Sequence, residues 1–100
     1  MVIVEGTIDV DPSGRDEFLA GRRDAVLATR NEPGCIEYAF SADLIDAGRI
    51  RIFERWETPE DLATHLGLLS QRPAPAPGSV EMRGAEFRRY EIASMGPLNP

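Results

Sequence analysis

Two alternating segments on either side of one short loop constrain the fold of this chain more than any other feature. Residues 35–41 and 49–57 carry apolar side chains at every second position, which is typical of half-buried β-strands. The loop between them, residues 42–48, contains two aspartates and ends in glycine, as turns commonly do. The sequence therefore predicts an antiparallel β-hairpin in the middle of the chain.

Helix signals flank this hairpin on both sides. Pro33 cannot lie inside a helix and Gly34 supplies a permissive backbone, so a preceding helix must end there. After the hairpin, Thr58 is a suitable N-cap and Pro59 fits the first helical position. We expect one helix before the hairpin and another directly after it.

Extending the same analysis over the whole chain gives four strands and two helices. They are a strand at Val2–Val10, a helix from Arg15 to about Arg30, strands at Cys35–Ser41 and Arg49–Glu57, a helix from Pro59 to about Ser70, and a last strand at Glu86–Ile92. The order β-α-β-β-α-β predicts an α+β, ferredoxin-like domain with a four-stranded antiparallel sheet. We expect this domain to span residues 1–93 and residues 94–100 to form a C-terminal tail.

The alternation also predicts which side chains face the helices. In the second strand, Ile36 and Tyr38 are expected to point inward and Cys35 outward. The opposite face of the sheet would then carry three large apolar residues that need cover: Ile3, Phe53 and Phe87. A second copy of the chain is the simplest cover, so we expect a homodimer.

Composition argues against several classes of function. The chain has 11 arginines, 17 acidic residues, no lysine and a net charge of -6, with no clustered basic patch, so nucleic acid is not an expected partner. Schiff-base chemistry is excluded because it needs a lysine. The single cysteine cannot form an intrachain disulfide, the N-terminus does not resemble a signal peptide, and no apolar run approaches the roughly 20 residues of a membrane-spanning helix. We expect no membrane partner and a cytoplasmic location.

Two motifs resemble the antibiotic biosynthesis monooxygenase domain of the dimeric α+β barrel superfamily. They are EPGCIEY, residues 32–38, and IFERWETPEDLATHL, residues 52–66, and the resemblance covers residues 1 to about 70. It implies a dimeric barrel of two sheets and a cofactor-independent monooxygenase that acts on a small aromatic, phenolic or quinol-like molecule. The family also includes heme-degrading enzymes and proteins with no known reaction. The segment RPAPAPG, residues 72–78, departs from the family pattern.

A cofactor-free oxygenase needs a pocket for an aromatic substrate, a base to form the phenolate, and a donor or cation to hold negative charge while that anion reduces dioxygen. The candidate catalytic residues are His65, Glu54, Trp56 and Arg22. His65 is the candidate base, since imidazole titrates near neutral pH, and Glu54 is its expected hydrogen-bond partner. The candidate substrate-binding residues are Tyr38, Phe18, Leu62 and Leu69. The stiff, proline-rich loop 72–79 is expected to close one end of the pocket.

Each of these residues also has a structural interpretation. Glu54 could pair with Arg22 or His65 in a satisfied buried network, and Trp56 could be a core residue. Cys35 is expected to be structural, because neighbouring glutamates disfavour a thiolate. One histidine and one cysteine give no metal cluster, and heme is not expected because the proline-rich loop occupies the region that supplies the axial histidine in heme-degrading relatives. The alternative functions are a non-catalytic small-molecule-binding dimer and a lyase or isomerase of a small hydroxylated metabolite.

Overall fold

The structure, a computed structural model, describes residues 1–99 and confirms the α+β, ferredoxin-like fold. The elements are β1 (Val2–Val10), a 3₁₀ turn (Pro12–Gly14), α1 (Arg15–Ala20), α2 (Arg23–Arg30), β2 (Cys35–Ala42), β3 (Arg49–Trp56), α3 (Pro59–Ser70) and β4 (Met82–Glu91). The strands form one sheet in the order β2-β3-β1-β4, and all three neighbouring pairs are antiparallel. The helices cover one face of this sheet, called the inner face below; the opposite face is called the outer face.

The core lies between the inner face and the helices, and the period-2 alternation of β1 and β3 builds it. Every second residue of both strands is buried, whereas the residues between them stay partly exposed, with the small Gly6 filling one buried position of β1. Full burial of one such side chain contributes roughly 1.5–3 kcal/mol. The buried apolar set is Val2, Val4, Ile8, Val10, Phe18, Tyr38, Ile50, Ile52, Trp56 and Leu62. The buried polar residues Glu54 and His65 are therefore embedded in an apolar environment.

The first helical segment is not continuous, so the prediction of one helix from Arg15 to about Arg30 is wrong. It breaks at Gly21 and Arg22, where the Arg22 N–H bonds to the carbonyl of Leu19, three residues back, at 3.0 Å. Such a bond is the 3₁₀ pattern, which tightens the backbone locally. Gly21 has a poor helix propensity and favours the break there. The kink places Arg22 at the junction between α1 and α2.

Strand β2 contains a bulge that reverses the predicted orientation of its first residues. Cys35 is opposite Trp56 and Glu37 is opposite Arg55, so Ile36 is an extra residue between two paired ones. Ile36 is consequently 39% exposed, and Cys35 packs against the core instead. Burial raises the pKa of the Cys35 thiol, which agrees with the expected structural role.

Strand β4 begins at Met82, four residues before the predicted start, and its register corrects the placement of Phe87. Phe87 lies opposite Gly6, an inner-face residue of β1, so the ring points to the helix side rather than to the outer face. A Cβ atom on Gly6 would lie 2.7 Å from Cδ1 of Phe87. Glycine at position 6 therefore lets the ring lie over β1. Alternation within β4 alone could not assign this face, because the register against β1 decides it.

Candidate functional site

A cavity of about 610 Å³ lies between the inner face of the sheet and all three helices. This volume is within the range of small-molecule sites in proteins. The apolar lining comes from the sheet, from α1 and α2, and from α3, and includes Val4, Ile8, Phe18, Val26, Phe40, Ile52, Leu62, Leu66, Leu69 and Phe87. Phe87 and Leu66 stay about half exposed at its edge. The cavity is thus an apolar chamber that is open on one side.

Glu54 is the only carboxylate among the described residues that line this cavity. It sits on the inner face of β3 and is 7% exposed, and its Oε1 accepts a hydrogen bond from the Trp56 indole Nε1 at 3.0 Å. Burial raises the pKa of Glu54 above its ordinary value and outweighs the lowering effect of the Trp56 hydrogen bond. A carboxyl group of this kind can accept a proton from a bound molecule and return it.

His65 is buried on α3, as its helical position predicted, but its hydrogen-bond partner is Glu32 and not Glu54. Its Nδ1 lies 3.0 Å and 3.3 Å from the two carboxylate oxygens of Glu32, in the turn between α2 and β2. The bond therefore ties α3 to that turn. Glu54 instead accepts a hydrogen bond from Trp56, which stands two residues along the same strand face.

The imidazole of His65 lies behind the cavity wall. It stacks on Trp56 with 4.8 Å between ring centroids and meets Tyr38 edge to face at 5.4 Å. Its Nε2 is buried and bonds to no described residue. Neither His65 nor Trp56 lines the cavity, so the two rings support Glu54 from behind.

Tyr38 does line the cavity, directly across the β2–β3 pair from Glu54. Burial and the charge of Glu54 raise its pKa to about 12. Its phenol therefore stays protonated at neutral pH and can only donate or accept a hydrogen bond. In this cavity Tyr38 is suited to hold a polar group of a ligand rather than to remove a proton from it.

Arg22 reaches the cavity from the junction of α1 and α2. Its guanidinium lies 5.1 Å from the centroid of the Phe18 ring, within the range of a cation–π contact. Arg72, just after α3, and Arg88 and Arg89, on β4, also line the cavity, and Arg88 is paired with Glu5 at 3.6 Å. Cations thus approach it from three separate elements.

The structure brings most of the candidate residues to one place. Six of them line the cavity: Glu54, Arg22, Tyr38, Phe18, Leu62 and Leu69. The sequence pattern did not indicate Glu32, Phe87 or Arg89 as site residues, whereas Arg72 begins the loop 72–79 that was expected to close one end of the pocket. Glu32 belongs to the quoted EPG motif, so its position directly before the Pro-Gly turn was an available signal; the face of Phe87 and Arg89 depends on strand register and was not.

The single histidine does not suit an axial heme ligand in this cavity, because its Nδ1 bonds to Glu32 and its Nε2 is buried behind the wall. Among residues 1–99 no group of three His, Cys, Asp or Glu side chains could hold a metal. No described helix is long and apolar enough to cross a membrane.

Fold and cavity define a class of small ferredoxin-like domains that carry a ligand-sized chamber between helices and sheet. Residues 1–72 match the sequence model of the antibiotic biosynthesis monooxygenase family, and the chain belongs to that family.

One protein of similar sequence and two solved structures are similar to this chain. The protein sll1783 of Synechocystis, which is uncharacterized, is 34% identical over 65 residues; these make up 65% of this chain and 44% of that protein, so the chain spans less than half of that relative's length. The crystal structure of a Deinococcus radiodurans protein that carries the family's name covers 100% of both chains with a TM-score of 0.80 and 24% identity. The heme degrader MhuD of Mycobacterium tuberculosis, with two hemes bound in its active site, covers 97% of this chain and 100% of its own with a TM-score of 0.71 and 17% identity. At these identities the two structures support the fold.

Proposed function

We propose that this protein is a cofactor-independent monooxygenase that oxidises a small phenolic or quinol-like aromatic molecule inside the cavity. The observation that carries the proposal is Glu54, a buried carboxyl group with a raised pKa at the wall of an apolar chamber. Cofactor-free oxygenation needs little more from a protein than such a proton acceptor beside an aromatic ring. Membership of the antibiotic biosynthesis monooxygenase family supports the same reaction class.

In the proposed reaction, the phenol binds as its keto tautomer, which carries a CH₂ group in the ring. The carbonyl makes this CH₂ group acidic, and ionised Glu54 removes one of its protons. The resulting anion transfers one electron to dioxygen, and the two radicals join through a new C–O bond to give a peroxide. Protonated Glu54 returns its proton to the peroxide, and then takes the second proton from the same carbon as the O–O bond breaks. One oxygen atom enters the product as a carbonyl, and the other leaves as water with both hydrogens of that carbon.

The neighbouring residues have distinct proposed roles in this chemistry. Tyr38, protonated at neutral pH, donates a hydrogen bond to the substrate oxygen that gains charge in the anion. Arg22, which lines the same cavity, supplies a fixed positive charge whose field favours the anion that Glu54 generates. Trp56 orients Glu54 through its indole N–H, and His65 holds Trp56 in place by stacking. Trp56 and His65 are positioning residues in this scheme, and His65 is not the base.

A homodimer belongs to the proposal and would use the outer face of the sheet. That face carries the apolar Ile3 and Phe53 among side chains of both signs, with Arg55 3.7 Å from Glu37 and Arg88 3.6 Å from Glu5. Such an intermixed surface is complementary to a second copy of itself, as the two-fold symmetry of a dimer requires. The partner would cover Ile3 and Phe53, which is the reason for expecting it.

Oxygen consumption with a panel of hydroquinones, anthrones and polyphenols tests the proposed activity. The expected result is uptake of one O₂ per substrate, no hydrogen peroxide, and incorporation of one ¹⁸O atom from ¹⁸O₂ into the product. Tight binding of panel members with no uptake above the uncatalysed rate would favour the non-catalytic binding protein. Product formation without O₂ would favour the lyase or isomerase.

A further inference from the structure

We propose that the ligand of this cavity is an aromatic carboxylate, whose acid group Arg22, Arg72 and Arg89 bind at the open side while the ring lies in the apolar chamber. The inference rests on the proposed function for the place of the ring and adds the charge of the substrate. The supporting observation is which arginines have a hydrogen-bond or ion-pair partner within the chain and which do not.

Seven of the 11 arginines form a side-chain hydrogen bond or ion pair with another described residue. They are Arg15, Arg30, Arg49, Arg51, Arg55, Arg83 and Arg88. Among residues 1–99, the remaining four have no such partner: Arg22, Arg23, Arg72 and Arg89. Three of these four line the one cavity that also contains Glu54, and only Arg23 does not.

This concentration of unpaired cations is notable in an acidic protein. The whole chain has 17 acidic residues against 11 basic ones, so carboxylate partners are abundant. The cavity nevertheless has a single carboxylate on its lining, Glu54, and that group is bonded to Trp56. The surplus of positive charge at the cavity is therefore available to an anion from outside the chain.

The arrangement separates an acid-binding end from a proton-transfer end. Glu54 is buried in the wall, whereas the three arginines are exposed and come from the α1–α2 junction, the end of α3 and β4. A planar ring with a carboxylate on its edge fits both ends, because guanidinium binds carboxylate through two parallel hydrogen bonds. The contact of Arg22 with the Phe18 ring restricts its side chain and lowers the entropy lost on binding.

The test is isothermal titration calorimetry of the intact protein with anthraquinone-2-carboxylate and with its neutral isostere anthraquinone-2-carboxamide. Both are already oxidised, so binding is measured without turnover. We expect the carboxylate to bind at least about tenfold more tightly, as charged hydrogen bonds predict. Its affinity should fall with added salt, and that of the carboxamide should not.

Single substitutions R22Q, R72Q and R89Q should each weaken carboxylate binding by about threefold to tenfold and leave carboxamide binding unchanged. R23Q is the matched control, because Arg23 is also unpaired, adjoins Arg22 and removes the same charge. It should leave both affinities unchanged. Equal affinity for the two compounds, no binding of either, or an equal effect of R23Q would each overturn the inference.

These results separate the inference from the proposed function. Preferential carboxylate binding in a protein that consumes no oxygen with any acidic phenol would leave the anion site standing and remove the oxygenase. Oxygen consumption with neutral and acidic phenols at equal kcat/KM would leave the oxygenase standing and remove the anion site.

Discussion

The indole N–H of Trp56 donates a 3.0 Å hydrogen bond to Oε1 of Glu54, its neighbour two positions back on the same strand face. Residues at i and i+2 of a strand point the same way, so the bond is built into the alternation of β3. It leaves the second carboxylate oxygen of Glu54 without a bond to any described residue. That oxygen is the one that can face a ligand.

Replacement of Glu54 by Gln should abolish proton transfer without disturbing this hydrogen bond, since the amide oxygen still accepts from Trp56. We expect kcat to fall by about 10²–10⁴-fold, the usual contribution of a general acid–base group. Glu57→Gln is the matched control, because Glu57 is exposed and lies three positions further along the chain. Steady-state oxygen uptake measures both, and an E54Q protein with wild-type turnover would remove Glu54 from the mechanism.

The same substitution should raise thermal stability, and the gain should depend on pH. The folded-state pKa of Glu54 is raised above the unfolded value, so its ionisation costs stability as pH rises through the folded pKa. Below the unfolded pKa the group is protonated in both states and the cost vanishes. Melting temperatures of E54Q and wild type should therefore differ more at pH 8 than at pH 4; a larger difference at pH 4 would contradict the direction of this pKa shift.

His65 and Glu32 should be coupled energetically, because their side chains bond at 3.0 Å and both are largely buried. Denaturant unfolding of His65→Leu, Glu32→Gln and the double variant should give a coupling energy of about 1 kcal/mol. His65→Leu should lower turnover much less than E54Q does, because the ring acts through Trp56. A loss of activity as large as that of E54Q would restore His65 as the base.

Gly6→Ala should destabilise the protein, since the new Cβ would clash with the backbone oxygen of Glu86 and lie 2.7 Å from Cδ1 of Phe87. Crowding of this kind costs about 1–3 kcal/mol. Gly67→Ala on α3 is the control: nothing lies within 4 Å of its Cβ position, and alanine should stabilise the helix by about 1 kcal/mol. Urea unfolding measures the change in the free energy of unfolding for both variants, which should be negative for Gly6→Ala and positive for Gly67→Ala. Changes of the same sign would mean that Phe87 does not crowd position 6.

The dimer can be tested on the outer face of the sheet. Light scattering should give about twice the 11.0 kDa of one chain, and Phe53→Glu should give monomer or aggregate. Ala63→Glu adds the same charge at an exposed position of α3 and should leave the mass unchanged. A wild-type protein that scatters as a monomer at micromolar concentration would leave Ile3 and Phe53 without the proposed cover.

The sequence was sufficient for the order of elements because each carried a local signal. Thr58 accepts a hydrogen bond from the Asp61 N–H as the N-cap of α3, and Gly34 has the positive φ of 78° that the turn needed. Features that depend on how elements pair were not accessible from local signals. The inward position of Phe87 depends on the register of β4 against β1, and the partner of His65 depends on where the turn at Glu32 meets α3.

Among the candidate site residues, those on regular alternation lay where the pattern placed them. Glu54, Trp56 and Tyr38 all face the helices, because β3 and the later part of β2 keep strict period 2. The sequence could not predict that Glu54 and Tyr38 line the cavity while Trp56 lies behind its wall. Alternation in a strand shows which face of the sheet a side chain is on, but not how far it lies from the cavity. Arg72 was predicted only as part of the loop 72–79 and Arg89 was not predicted at all, because exposed arginines in a sequence carry no sign of having no carboxylate nearby.

The extra residue at Ile36 has a consequence for comparing this chain with its relatives. Alternation counted forward from the inward-facing Cys35 would place Glu37 on the inner face. Alternation counted backward from the inward-facing Tyr38 would place Ile36 there, so the two counts disagree around position 36. A relative without the extra residue would need a one-residue gap there for Cys35 and Tyr38 both to be matched with inward-facing positions. An ungapped alignment across EPGCIEY would instead compare core residues with solvent-facing ones.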